Sequence, residues 1–468
     1  MESEGRTIFH VDVNSAFLSW SALKRLEDDP DAVDLRTIPS GVGGDVKTRH
    51  GIITAKSIPA KKYGVQTGEP VVKALQKCPQ LVLVPPDFET YRKYSHALME
   101  ILSRYSPLLQ QVSIDEAYLD VTERVSEKGT SGVICPQVGC KETSGVVCTP
   151  GDRERAIALA QQIRDQVRTE LGFTVNVGIS CNKLLAKMAS DFEKPDRTHT
   201  LYPEEVPEKM WPLPIEVLHG CGKSTAQKLQ LIGINTIGDA AAADRALLQS
   251  FLGQSSGAYI WNSANGISKS KVVAEREQAK SVSNERTLSE DISRENYLAD
   301  GVPVVCMLAQ KVAGRLQKSG LVGQTVTFQI KSSDFERHSR QMSLSAMTDQ
   351  SKDIEAAALL LADQLLGGPE GLFAQGVTIR LIGVGVSRLA EKEKTMHQMD
   401  LFEWAERNEE EESRRAEAEK AQRAEQAARE KARKAAQAKK ARQDKLDAMM
   451  GKLNERYGKG TIRKGSSE

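Results

Sequence analysis

Apolar and polar positions alternate in short, distinct stretches along the first 200 or so residues, as expected of a chain that switches between strands and helices. Ile8 to Val13 reads as a short buried strand broken by one carboxylate, Asp12, and a helix-like segment from Ser15 to Leu26 follows it directly. A mixed segment comes next, then a helix over Phe88 to Tyr105 and a strand over Gln111 to Val121. Helix Arg153 to Leu171, strand Thr174 to Ile179 and helix Asn182 to Phe192 complete an alternating unit, for which one mixed sheet with helices on one face is expected. From Pro203 to Ile267 the pattern changes to short helices. Further on, strand Ser281 to Leu288, helix Glu295 to Lys318, strands Gln324 to Lys331 and Arg337 to Leu344, helix Lys352 to Leu366 and strand Gly376 to Val386 follow the order β-α-β-β-α-β. This is the ferredoxin-like split arrangement, which presents an open sheet face or edge to a partner.

Beyond Arg388 the periodicity stops. Glu406 to Gln443 consists almost entirely of Glu, Lys, Arg, Ala and Gln, acidic first and basic later, which predicts a solvated helix or a disordered tail. The stretch from Ser126 to Gly151 is rich in Gly, Ser and Thr and carries Cys135, Cys140 and Cys148 without periodic apolar positions, so it reads as an inserted surface loop. Its uneven cysteine spacing lacks the paired C-x-x-C of a zinc site.

With 468 residues, the chain should divide into roughly three or four units plus appendages. A composition 40% hydrophobic and 27% charged is globular, and no apolar run is long enough to span a bilayer. A membrane role is not expected. The polar start and the early interruption at Asp12 leave no secretory segment, and seven scattered cysteines suit reduced thiols, so the cytoplasm is the expected compartment. A net charge of +1 conceals local asymmetry. Lys311, Arg315, Lys318, Lys331, Arg337 and Arg340 fall close together, opposed there only by Asp334 and Glu336, and suggest either a phosphate-facing surface or an ordinary solvated face.

Within the helical stretch, Gly220-Cys221-Gly222-Lys223 is a glycine turn running into the helix Ser224 to Ile232, in the manner of a helix-hairpin-helix. Backbone N–H groups at Gly220, Gly222 and Lys223 would then approach a phosphate, giving grip without sequence readout, although a plain helix pair with a glycine cap has the same pattern.

The chemistry gathers on acidic residues in apolar surroundings: Asp12, and the pair Asp115-Glu116 within Val112 to Leu119. Buried carboxylates need a cation, a partner or a cleft. Hard oxygen ligands of this kind suit Mg²⁺, which shares its shell with substrate phosphates.

Four stretches in order, Val11-Asp12-Val13-Asn14-Ser15-Ala16-Phe17, Tyr91-Arg92-Lys93-Tyr94-Ser95, Ser113 to Asp120, and Val177-Gly178-Ile179-Ser180 through Asn182-Lys183-Leu184-Leu185-Ala186-Lys187, resemble the Y-family DNA polymerases of the DNA polymerase IV type. The resemblance implies an α/β and α+β multidomain fold: a palm at 1–19 and 76–202 with the loop inserted at 126–151, fingers at 20–75, a helical thumb at 203–270, a linker at 271–280 and a little finger at 281–390. Residues 391–468 would hold a clamp-binding peptide and the charged tail. By the same resemblance, Asp12, Asp115 and Glu116, with the Val13 carbonyl, hold two Mg²⁺ ions, Phe17 excludes ribonucleotides, and Lys187 reaches the triphosphate. Gln398, Leu401 and Phe402, in Gln398-Met399-Asp400-Leu401-Phe402, resemble the peptide that docks on the bacterial sliding clamp, the beta subunit.

The fingers depart from the pattern. Where many relatives carry Tyr and Arg three residues apart, this chain has Ile58 and Lys61, and lysine replaces the charge without the bidentate fork. The expected activity is template-directed addition of dNMP from dNTPs to a primer-template DNA, at low fidelity and without a proofreading segment, in translesion synthesis by a monomer. A catalytically silent clamp-bound adaptor is one alternative, and a palm-type cyclase, hinted at only by Gly43-Gly44-Asp45, is another.

Overall fold

The computed structural model describes residues 5–44, 51–126, 150–275, 278–392, 438 and 440–452. The chain begins with β1 (Ile8–Val13) and α1 (Ala16–Asp28), then leaves for a small unit of β2 (Ser40–Gly43), β3 (Ile53–Lys56), α2 (Ile58–Lys62), α3 (Val71–Lys77) and β4 (Val82–Val84). It returns with α4 (Phe88–Ser103), β5 (Leu109–Gln111), β6 (Glu116–Asp120), α5 (Thr122–Val125), α6 (Pro150–Leu171), β7 (Val175–Ser180), α7 (Lys183–Ser190) and β8 (Thr198–Thr200).

The first sheet runs β5-β6-β1-β7-β8, so β1 lies at its centre. Its neighbours β6 and β7 are both antiparallel to it, while β8 joins β7 in parallel, making the sheet mixed as expected. Alternation along β1 sends Phe9, Val11 and Val13 into one core with Leu119, Val177 and Ile179, closed by the inner sides of α4 and α6. Trp20 and Tyr91 are fully buried in that core and pin α1 to α4. Truncating either to Ala would cost about 3–5 kcal/mol.

Helices do not stay on one face, contrary to the sequence expectation. Helix α7 packs on β7 and β1 from the side opposite α4 and α6, where His10 and Asp12 point. The close approach depends on Gly178, because a Cβ there would lie 2.0 Å from the Ala186 carbonyl oxygen and 2.4 Å from the Ser190 nitrogen. A second difference concerns the strand predicted over Gln111 to Val121. It is split into β5 and β6, because the N–H groups of Val112 and Ser113 both reach the Glu116 carbonyl, at 3.0 and 3.3 Å, and fold the chain into a tight turn. Asp115 sits in that turn rather than in a strand.

In the small unit the strands run β3-β2-β4 around two apolar clusters, one of which includes Leu18 and Ala22 of α1. The helical unit that follows the first sheet holds α8 (Val206–Lys209), α9 (Lys223–Leu231), α10 (Ile237–Ala242), α11 (Arg245–Leu252) and α12 (Gln254–Ala264). Its core takes in Leu185, Met188 and Ala189, so α7 is shared between two units.

The last unit contains β9 (Ser281–Ile292), α13 (Val302–Lys318), β10 (Leu321–Ser332), β11 (Arg337–Thr348), α14 (Ser351–Leu366) and β12 (Ile379–Glu391), which confirms the β-α-β-β-α-β order. The sheet runs β11-β10-β12-β9, antiparallel throughout, with α13 and α14 packed on one face against Val326, Phe328, Ile382 and Val384. Register separates the basic cluster seen in sequence. Lys331 pairs with Arg337 on the uncovered face, whereas Arg340 pairs with Phe328 on the helix side and Lys311, Arg315 and Lys318 belong to α13. Residues 440–452 are helical and almost wholly exposed, and among the described residues no helix is long and apolar enough to cross a membrane.

Candidate active site

Cross-strand register puts Asp12 directly opposite Glu116, with Asp115 in the adjoining turn. Two carboxylates in opposed positions repel, so positive charge must stand between them. It comes from α7 and the loop after it. Lys187 Nζ lies 2.9 Å from Glu116 Oε2 and 3.3 Å from Asp12 Oδ2, and Lys194 Nζ lies 2.8 Å from Asp12 Oδ2. Asp191 forms ion pairs with both ammonium groups, at 2.9 Å from Lys194 and 3.5 Å from Lys187.

These positions follow from local structure. Asn182 caps α7 by accepting from the Leu185 N–H at 2.9 Å, which fixes the start of the helix that presents Lys187. The loop bearing Lys194 is tied to β1 through buried amides. Asn14 Oδ1 accepts from the Asp196 N–H at 2.9 Å, Asn14 Nδ2 donates to Asn176 Oδ1 at 3.1 Å, and Asn176 Nδ2 donates to the Glu193 carbonyl at 2.7 Å. The turn carrying Asp115 is tied to the same strand, the Val13 N–H donating to the Asp115 carbonyl at 3.0 Å.

Environment moves Glu116 and Asp115 in opposite directions. Glu116 is pulled down to about 2, chiefly by its contact with the buried His10, burial opposing and Lys187 assisting. Asp115 moves up, because burial and the nearby charges of Asp12 and Glu116 outweigh the Ser113 hydroxyl, which donates to Asp115 Oδ1 at 2.6 Å. Lys187 is held above the ordinary lysine value, since the carboxylates overcome the effect of burial.

His10 was not singled out by its sequence context. Its Nδ1 pairs with Ser190 Oγ at 2.8 Å, and that hydroxyl also reaches the Lys187 carbonyl at 2.8 Å. Its Nε2 lies 3.3 Å from Glu116 Oε2. Lys194 and Asp191 were missed as well, as an exposed lysine beside a proline carries no local signal of its neighbours.

The donor set fits a hard divalent cation. Ligand atoms of His10, Asp12 and Glu116 lie within 4.8 Å of one another, and the two ammonium groups already occupy positions that neutralise the carboxylates. Beside this site a cleft of about 900 Å³ opens between the first sheet and the helical unit, lined among others by Glu116, Tyr118, Lys183, Lys187, His219 and Tyr259.

The remaining candidates are dispersed around this centre. Phe17, at the start of α1, stacks on Tyr91 at 4.7 Å and 23°. Ser15, just before it, takes a left-handed backbone (φ 48°) that turns the chain sharply from strand to helix. Lys61 lies on α2 near Lys56, whose ammonium is held below its ordinary value by burial and by Lys61's like charge. Ile58 is half exposed on the same short helix. The two glycines of the turn differ. Gly220 has φ 84° and lies so near Tyr259 that a Cβ would meet the ring at 2.5 Å, whereas Gly222 caps α9 with nothing within 4 Å of such an atom. Gly222 and exposed Lys223 therefore leave the helix start open to a phosphate, while Gly220 serves the turn. Gln398, Leu401 and Phe402 lie outside the described residues, as do Cys135, Cys140 and Cys148.

Residues 11–191 match the impB/mucB/samB family, residues 203–234 the IMS family HHH motif, and residues 279–401 the impB/mucB/samB family C-terminal domain. DNA polymerase IV of Clostridium acetobutylicum is 39% identical over 384 residues, covering 82% of this chain and 87% of that protein. DNA polymerase IV of Bacillus velezensis is 35% identical over 467 residues, covering 100% of this chain and 94% of that protein, and DNA polymerase IV 1 of Bacillus subtilis is 35% identical over 471 residues with the same coverage. Among solved structures, a Y-family DNA polymerase chimera of Dbh and Dpo4 superposes with a TM-score of 0.66 at 23% identity, over 82% of this chain and 98% of that one, which supports the fold. The chain belongs to the Y-family DNA polymerases. Within them it is of the DNA polymerase IV type, a template-directed DNA polymerase that depends on metal and acts on DNA and deoxynucleotides.

Proposed function

We propose that this polymerase performs low-fidelity translesion synthesis without proofreading, with Asp12, Asp115 and Glu116 holding two Mg²⁺ ions. The opposition of Asp12 to Glu116 across β1 and β6, with Asp115 beside them and Lys187 between, is the observation that carries the reading. Bound there with the Val13 carbonyl as a further ligand, the ions would activate the primer 3′-hydroxyl and stabilise the pyrophosphate leaving group.

The chain's own residues do the rest. Lys187 and Lys194 bring two ammonium groups to the edge where a triphosphate would sit, and Lys61 adds charge from the fingers without the fork of an arginine. Phe17, braced by Tyr91, stands as the steric gate against a 2′-hydroxyl. Gly222 and Lys223, with the turn held by Gly220, grip the DNA backbone. Gln398, Leu401 and Phe402 recruit the protein to the sliding clamp, and a single chain carries the whole site, so the protein works as a monomer.

Primer extension with Mg²⁺ tests the core of this. Asp115→Ala combined with Glu116→Ala should lower the rate by about 10³-fold or more, and equal extension by parent and variant rejects the site. Phe17→Ala should raise ribonucleotide insertion relative to deoxyribonucleotide, and unchanged sugar discrimination removes the gate. Changing Leu401 and Phe402 to Ala should abolish clamp capture in a pull-down, retained capture placing the contact elsewhere.

A further inference from the structure

Asp191 is not among the three carboxylates assigned to the metals, yet both cations that neutralise Asp12 and Glu116 also pair with it. Lys194 Nζ bridges Asp12 Oδ2 at 2.8 Å and Asp191 Oδ1 at 2.9 Å, and Lys187 Nζ bridges Glu116 and Asp12 on one side and Asp191 Oδ2 at 3.5 Å on the other. The pairing is uneven in burial. The Asp12 side chain is 13% exposed and that of Asp191 46%. Each ammonium group thus has an inner acceptor, which a divalent cation would also use, and an outer acceptor open to solvent.

Resting on the metal reading above, we infer that Asp191 is a positioning residue: it competes with Asp12 and Glu116 for Lys187 and Lys194, drawing the two ammonium groups outward so that the inner carboxylates can take a divalent cation. The lysines oppose cation binding and Asp191 relieves that opposition. A cation that takes over Asp12 and Glu116 repels both ammonium groups, and Asp191 keeps them at the rim of the site instead of releasing them to solvent. Asp191 caps the C-terminal end of α7, four residues beyond Lys187 and three before Lys194, a spacing that reaches both.

Binding of Mn²⁺ alone to the full chain, followed by the electron paramagnetic resonance of the free ion without DNA or nucleotide, reads this directly. Lys194→Met should tighten Mn²⁺ binding by about threefold to tenfold, the range for removing one partly screened competing charge. Asp191→Asn should weaken it by a similar factor. The decisive comparison is the double variant. If Asp191 acts through the lysines, its substitution costs clearly less in the Lys194→Met background than in the parent, whereas a direct through-space effect adds unchanged. An unreduced penalty, or no shift in either single variant, overturns the inference. Asp12→Asn is the control on the reading beneath it: it should abolish the binding, and retained affinity would remove the metal assignment itself.

Discussion

In the palm, β1 is covered on both faces, by α4 and α6 on one side and α7 on the other, whereas among the described residues the four-stranded sheet of the little finger is covered, by α13 and α14, on one face only. The covered sheet carries its chemistry at one end, where Asp12 and Glu116 leave the strands beside α7. The half-covered sheet spreads its polar groups over a whole face: Glu285, Gln329, Lys331 and Arg337 lie there, joined by contacts such as Gln329 Nε2 to Glu285 Oε2 at 3.1 Å. Enclosure on both sides sets a few atoms to within fractions of an ångström. An open face offers area instead.

Glycines in the two sheets give the largest test of this contrast. Gly178→Ala should destabilise the protein by about 3 kcal/mol or more, since the added carbon meets helix backbone that cannot move aside. Urea denaturation of parent and variant measures it. A loss below 1 kcal/mol would mean that α7 is not held against β7 as described.

An intermediate effect is expected at the junction of β11 and α14. Asp349 is buried, and its carboxylate accepts from Lys392 Nζ at 2.7 Å and Gln350 Nε2 at 2.7 Å. Burial opposes its ionisation, but these donors outweigh that and hold the carboxyl below its ordinary value. Its contribution to stability is therefore in place above about pH 4 and disappears as the pH falls through the lower folded-state value. Asp349→Asn should cost about 1–2 kcal/mol at pH 7 and flatten the acid limb of the stability curve. Hydrogen exchange in the little finger, measured from pH 7 down to 3, would show a parallel acid limb in the variant if the idea is wrong.

The smallest effect belongs to the open face. Gly383→Ala brings its Cβ to 2.8 Å from the Gln329 side chain, which can turn away into solvent, so the cost should stay within about 1 kcal/mol. If it equals that of Gly178→Ala, the contrast between covered and open faces fails.

Much of this architecture was legible from pattern. Ile8 to Val13 stands in the structure as read, and the β-α-β-β-α-β unit emerges because its strands alternate and its helices carry an apolar stripe. Asp12 stood out because it interrupts an apolar run. Asp115 was misplaced, since Val112, Ile114 and Ala117 look strand-like and the backbone bonds to the Glu116 carbonyl that fold the turn leave no compositional trace. The placement of α7 was hidden for a similar reason. Nothing near Gly178 announces that a helix backbone rests on it, and without that contact neither the partners of Lys187 nor the role of Lys194 can be deduced. Short strands such as β2, β3 and β8, three or four residues each, fall below what periodicity resolves.

The central place of β1 also shapes how the protein is made. This strand leaves the ribosome well before one of its two sheet neighbours, β7 at 175–180, and His10 finds Ser190 across 180 residues of chain. Until that later segment has been synthesised, an apolar strand has one edge without its permanent partner and one face without its helix. The nascent polymerase thus passes through a prolonged stage in which this strand is open to wrong pairing, and a chain terminated before α7 would expose the aggregation-prone edge that the finished molecule conceals.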